Sequence, residues 1–195
     1  MKNLASALSV ILSLAASPVP VTEAASRLIP PHVPGNLEVQ SGFRLYLSGH
    51  AIGTQNYICT VIGGAPKWLF IGPQATLYDA DGEQIITHFH STNPFKANAI
   101  QATWQHSRDT SAVWAVRYQG STDANYVSPD AIEWLLLEVS GADYGPESGD
   151  RLTGTRFIQR VHTVGGKEPA ASACSSATLN TRQLVPYEAD YFFYR

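Results

Sequence analysis

Ala99-Ile100-Gln101-Ala102-Thr103-Trp104-Gln105 places Ile100, Ala102 and Trp104 on alternate positions, with Gln101, Thr103 and Gln105 between them. Successive side chains of a strand point to opposite faces, so a two-residue period describes a strand with one oily face and one polar face. Val113 to Tyr118 returns across a polar tip, His106 to Ser111, and the pair reads as a hairpin. Outward from this hairpin the pattern repeats. Phe43 to Leu47 alternates, and Asn56 to Ile62 is β-branched and aromatic. Thr76 to Tyr78 leads through Asp79-Ala80-Asp81-Gly82 into Ile85 to His90 as a second hairpin. Trp134 to Val139 is apolar except for Glu138, which suits a strand buried on both faces. Arg156 to Val164 and Tyr191 to Tyr194 complete the set. The mature segments show no sustained helical period, with only a short helix or turn expected near Ser128 to Ile132. Many short strands between Gly, Pro and Asp turns predict an all-β, single-domain antiparallel sandwich or barrel of about ten strands.

The chain has 195 residues, 44% hydrophobic and 15% charged, enough apolar material for one cored domain. Its start reads as a secretory signal. Lys2 is followed by an apolar run, Leu4 to Ala16, then small residues and a cleavage point after Ala24. The run is shorter than the ~20 residues needed to span a bilayer, so the expectation is residues 1–24 as signal peptide, 25–42 as a Pro-containing lead-in and 43–195 as the β domain of a secreted protein. Because Lys2 and Glu23 leave together, the formal charge stays at −3. No basic block appears, and phosphate neutralisation needs one, so no nucleic-acid partner is expected. No N-x-Ser/Thr sequon occurs. Cys59 and Cys174 are the two cysteines; in an oxidising compartment they favour one disulfide, with a pair of buried thiols as the rival. The sequence leaves the oligomeric state open.

Two clusters carry potential chemistry. His88 and His90, at i and i+2 on a strand, share a face and could address one metal. A cupin-like motif would continue with a Glu, but Pro94 and Phe95 stand there, so no metal is assigned. Trp104 to Ser111 gathers a base, a cation, a carboxylate and hydroxyls at a hairpin tip; as a plain turn, Asp109 would bond its own backbone and Arg108 would pair with it. No nucleophile elbow, P-loop or dinucleotide fingerprint is present, so no cofactor is expected. Four Trp, nine Tyr and seven Phe supply core and, in part, the walls of an apolar cavity.

Several stretches taken together resemble a family of secreted fungal and bacterial proteins of unknown function, some of whose fungal members carry a malate dehydrogenase label. They are Gly53-Thr54-Gln55-Asn56-Tyr57-Ile58-Cys59, Gly72-Pro73-Gln74-Ala75-Thr76-Leu77-Tyr78, His88, Thr103-Trp104-Gln105, Asp109-Thr110-Ser111 and Trp134-Leu135-Leu136-Leu137. Ile158-Gln159-Arg160-Val161, Thr163, Gly165-Gly166, Cys174, Val185-Pro186-Tyr187 and Ala189-Asp190-Tyr191 extend the resemblance over nearly all of residues 45–194. Three positions depart from it: Glu133 stands where Pro is usual, His162 where Asn is usual and Ala115 where Gly is common. The dehydrogenase label does not fit a chain without the fingerprint and α/β alternation of dinucleotide folds. A looser similarity links the chain to secreted fungal proteins that steer hetero-Diels–Alder couplings.

The resulting expectation is a cofactor-free handler of small apolar organic molecules, as a cyclase of hetero-Diels–Alder type. His88, Gln105 and His106 are its candidate catalytic donors, with Tyr57, Trp104, Trp134 and Arg160 as substrate-binding residues. The alternative is a non-catalytic secreted protein that binds a cell-wall or host component, which an exposed strip of aromatics would favour.

Overall fold

The computed structural model describes residues 28–195; the expected signal peptide lies outside them. Eight strands follow in chain order: β1 (Leu45–Ile62), β2 (Ala65–Tyr78), β3 (Gln84–Asn93), β4 (Ala99–His106), β5 (Ala112–Ser121), β6 (Trp134–Asp143), β7 (Phe157–Gly165) and β8 (Arg182–Tyr194). Each pairs antiparallel with the next, and β8 returns to β1 to close a barrel. Closure leaves no edge strand within the barrel wall. Short 3-10 turns, Gly35–Leu37 and Ala171–Ala173, are the helical elements of the described residues. No helix among these residues is long and apolar enough to cross a membrane.

The strand count falls from about ten to eight because expected segments fuse. Phe43 to Leu47 and Asn56 to Ile62 belong largely to one strand, β1, which runs through Gly49 and Gly53. Glycine inside a strand reads as an interruption, yet here it permits close approach. A Cβ at Gly53 would lie 2.2 Å from the Gln74 carbonyl oxygen of β2. The expected turn near Ser128 to Ile132 forms without a helix, and Ala131 bridges to Gly166.

Three apolar clusters organise the molecule. The first fills the barrel with Leu77, Ile86, Trp104, Val113, Ile158, Tyr191 and Phe193. The second lies on the outside wall, where Val33, Leu37, Val127 and Ala131 cover Trp134 and Leu136. This explains the unbroken apolar run of β6: Leu135 and Leu137 belong to the interior cluster, while Trp134 and Leu136 lie beneath the covering segments. The third joins the outer half of the β1–β2 pair to the β7–β8 connection through Tyr57, Trp68 and the Cys59–Cys174 disulfide.

One end of the barrel is plugged. Leu152, fully buried, enters the interior cluster from the β6–β7 connection. Its amide donates to Ser111 Oγ at 3.1 Å, and the Arg151 amide donates to Asp109 Oδ2 at 2.9 Å. Asp109 Oδ1 also accepts from the Ser111 amide and hydroxyl at 3.1 and 2.8 Å. Burial pushes the Asp109 carboxyl up, but these hydrogen bonds outweigh it and hold it below its ordinary value. Arg108 pairs with Glu83 rather than with Asp109.

Candidate functional site

The other end is hollow. A chamber of about 820 Å³ is walled by Gln55, Tyr57, Phe70, Ile132, Leu135 and Arg160, with Glu133, Lys167 and Glu168 among its outer residues. A narrower space of about 320 Å³ continues along His88, His90, Trp104, Ala115, Leu137 and Tyr191. Gln55, Phe70, Leu135 and Arg160 belong to both walls, so the two spaces form one funnel. Ala102 and Ala115 are cross-strand partners on β4 and β5 and line the narrow part. Their short side chains leave volume that larger residues would fill.

The deep wall is a stack. The rings of His88 and Trp104, paired across β3 and β4, lie 4.1 Å apart and 12° from parallel. Tyr191 meets both rings edge-on at 5.3 and 5.8 Å. His88 Nδ1 sits 2.9 Å from the Thr103 carbonyl oxygen. A carbonyl only accepts, so Nδ1 carries the proton and Nε2 is left as an acceptor. Burial drives the His88 pKa down to about 3, with the Thr103 bond opposing the shift, and the ring is neutral near pH 7. Burial also lowers His90, whose ring lies against Gly72. Gly72 has φ +128°, and a Cβ there would lie 2.8 Å from that imidazole, so both conformation and space call for glycine. Among the described residues, no group of three or more metal-competent side chains gathers around the two histidines.

The funnel walls enclose three unpaired donors. Gln55 Nε2, Trp104 Nε1 and Arg160 Nε are buried and make no hydrogen bond. The Gln55 amide and the Arg160 guanidinium act on the ionisation of Tyr187 and Tyr191, yet neither Gln55 Nε2 nor Arg160 Nε reaches bonding geometry. Burial raises both tyrosines, so they remain hydroxyls and supply no negative charge. Arg160 Nη2 donates to the Glu133 carbonyl at 2.9 Å, and the Glu133 carboxylate is held by Arg117 at 2.9 Å.

The seven candidate residues of the sequence do not form one cluster. His88, Trp104, Tyr57 and Arg160 meet in the funnel. Gln105 and His106 do not: they sit at the β4–β5 tip, by the plug. Gln105 donates to the Thr110 carbonyl at 3.4 Å, and His106 Nδ1 accepts the Arg108 amide at 3.2 Å. Alternation explains the loss of Gln105, which stands one residue out of phase with inward-facing Trp104. Trp134 faces the outer cluster and a shallow groove with Tyr126 and His162. Sequence reading misses Gln55 and Tyr191 as wall residues. Both belong to the stretches that carry the family resemblance, but only strand pairing reveals which face each occupies.

The departures from the family pattern also acquire positions. Ala115 lines the narrow space, and Glu133 stands at the rim. His162 has φ +50°, a left-handed conformation that asparagine accepts better than most residues, which accounts for the usual Asn. Its Nδ1 lies 2.8 Å from Asp190 Oδ2, and Asp190 Oδ1 lies 2.8 Å from His50 Nδ1.

Fold and site together define a closed, disulfide-linked meander barrel with one plugged end and one hollow, donor-lined end. The chain belongs to the family described as protein of unknown function (DUF3455), whose model matches residues 40–195. No curated protein and no solved structure matches the chain.

Proposed function

We propose that this protein is secreted and takes a small, mostly apolar organic molecule into the hollow end of the barrel, where it promotes a cyclisation of hetero-Diels–Alder type without a cofactor. The observation that carries this reading is the preformed cavity at the hollow end, lined by Gln55, Arg160 and the His88–Trp104 stack, whose walls enclose donors of Gln55, Trp104 and Arg160 that no group among the described residues satisfies. Each buried donor without an acceptor costs about 1–3 kcal/mol, a cost that a ligand carrying acceptors would relieve by turning these wall side chains toward it. A cycloaddition needs no nucleophile. It needs two π systems held face to face and a donor on the electron-poor partner. Alignment contributes up to roughly 7–11 kcal/mol to such reactions, and a preorganised donor about 3–4 kcal/mol more. The aromatic wall fits a planar partner, and Gln55 Nε2 and Trp104 Nε1 fit the polarising role. The disulfide is compatible with secretion.

Incubation of the purified protein with candidate diene and heterodienophile pairs tests the catalytic part. A raised rate and altered product ratio are expected, reduced by Trp104→Leu and Gln55→Leu; rates and ratios equal to those in buffer would count against it. Binding to a wall polysaccharide has less support. Stacking on glycans needs aromatic faces in a row, and exposed Phe70, Phe95, Tyr118 and Tyr144 stand on separate elements.

A further inference from the structure

Arg160 poses a charge problem that the protein leaves open. A guanidinium stays protonated in proteins and offers five N–H donors. Arg160 is only partly exposed, its Nε is buried without a partner, and one Nη reaches a neutral carbonyl. Among the described residues no carboxylate lies within ion-pairing distance of it. Glu133, whose carbonyl takes one Arg160 Nη, has its carboxylate held by Arg117. Glu168 and Lys167 line only the wide outer chamber, and Lys167 bonds the Pro129 carbonyl. The interior groups do not neutralise the charge either, since Tyr187 and Tyr191 remain hydroxyls and His88 is a neutral ring. A partly desolvated cation without a counterion is costly, and charge-assisted bonds to an anion are among the strongest a site can make.

We infer that the ligand of the hollow end is an organic acid, an apolar planar body carrying a carboxylate or an equivalent anionic oxygen pair, with its acid group on Arg160 and its body in the narrower space toward Trp104. This rests on the proposed small-molecule reading and names the chemistry of its ligand. Gln55 is 3% exposed and Trp104 1%, so both are enclosed in the walls, and partly exposed Arg160 is the charge that the two spaces share. Gln55 and Arg160 line both spaces, at the junction of the funnel, while Trp104 lies deeper. An acid held at the junction therefore directs its apolar end inward, toward the aromatic stack.

The test uses benzoate, 2-naphthoate and 4-phenylbutyrate, each against its own primary amide, titrated calorimetrically into the full mature protein at pH 7. Each acid that binds is expected to do so at least ~10-fold more tightly than its amide. Arg160→Lys should retain part of that preference, and Arg160→Gln should abolish it while leaving amide binding in place. Arg160 also holds the Glu133 carbonyl, so near-UV circular dichroism accompanies R160Q; if that variant does not fold, the wild-type pairs and R160K decide alone. Acids and amides binding equally well would overturn the acid class and leave the small-molecule reading standing. Failure of every pair to bind would overturn both.

Discussion

His88 shows how a single residue carries both packing and pH dependence. A free imidazole titrates near 6.5, and burial takes His88 down to about 3. Between those values the unfolded chain binds a proton that the folded chain refuses. Above about pH 6.5 the residue makes stability neither rise nor fall; as pH drops through the window, stability is lost at up to ~1.4 kcal/mol per unit. His88→Asn keeps a donor near the Thr103 carbonyl and removes the titrating ring. Urea midpoints at pH 7, 5.5 and 4 should show a shallower acid loss in the variant than in the wild type, by a few kcal/mol across the window. The variant starts lower at pH 7, because the stack on Trp104 is gone. Equal slopes would mean that His88 is not held neutral in the fold. His90 and His106 are also lowered by burial and add slope of the same sign in both proteins.

Among the elements, the β4–β5 hairpin divides its work by end. Its tip fastens the plug, and its middle supplies the cavity wall. Asp109 is the fastening, accepting from Ser111 and Arg151. Asp109→Ala should cost about 2–3 kcal/mol, because fully buried Ser111 loses its carboxylate partner and the Leu152 loop loses its tie. Chemical denaturation measures this, and a loss under 0.5 kcal/mol, the range of ordinary surface changes, would reject the tie. The same hairpin marks what the sequence makes legible. Alternation places Ala102 and Trp104 inward without any structure, and the apolar run of β6 announces burial on both faces. Alternation says nothing about which end of a barrel is hollow. That depends on partners far along the chain: Leu152 fills one end, while Ala102 and Ala115 leave space near the other. Gln105 and His106 therefore looked like equals of His88 although the plug holds them elsewhere. The fusion of β1 was hidden for a similar reason, since the contact that requires Gly53 is made by Gln74 on β2.

At the scale of the whole molecule, the Cys59–Cys174 bond joins β1 to the long β7–β8 connection across a separation of 115 residues. A cross-link closing so long a loop restricts the unfolded chain by about 4–5 kcal/mol in the chain-entropy model. The same connection carries Lys167 and Glu168 into the rim of the funnel, which on its own would make the site depend on the disulfide. The local bonds argue otherwise. Tyr57 Oη donates to the Gly166 carbonyl at 2.8 Å, the Gly166 amide donates to the Pro186 carbonyl at 2.9 Å, and Trp68 Nε1 donates to the Ala170 carbonyl at 3.2 Å. These hold the rim-forming part of the connection to β1, β2 and β8 without the disulfide. The paired substitution Cys59→Ala and Cys174→Ala should therefore lower stability by several kcal/mol, seen as a fall in melting temperature, while 2-naphthoate affinity measured well below that temperature stays within about threefold of the wild type. A large loss of affinity in a variant that remains folded would show that the bond shapes the native site and does not act mainly on the unfolded chain.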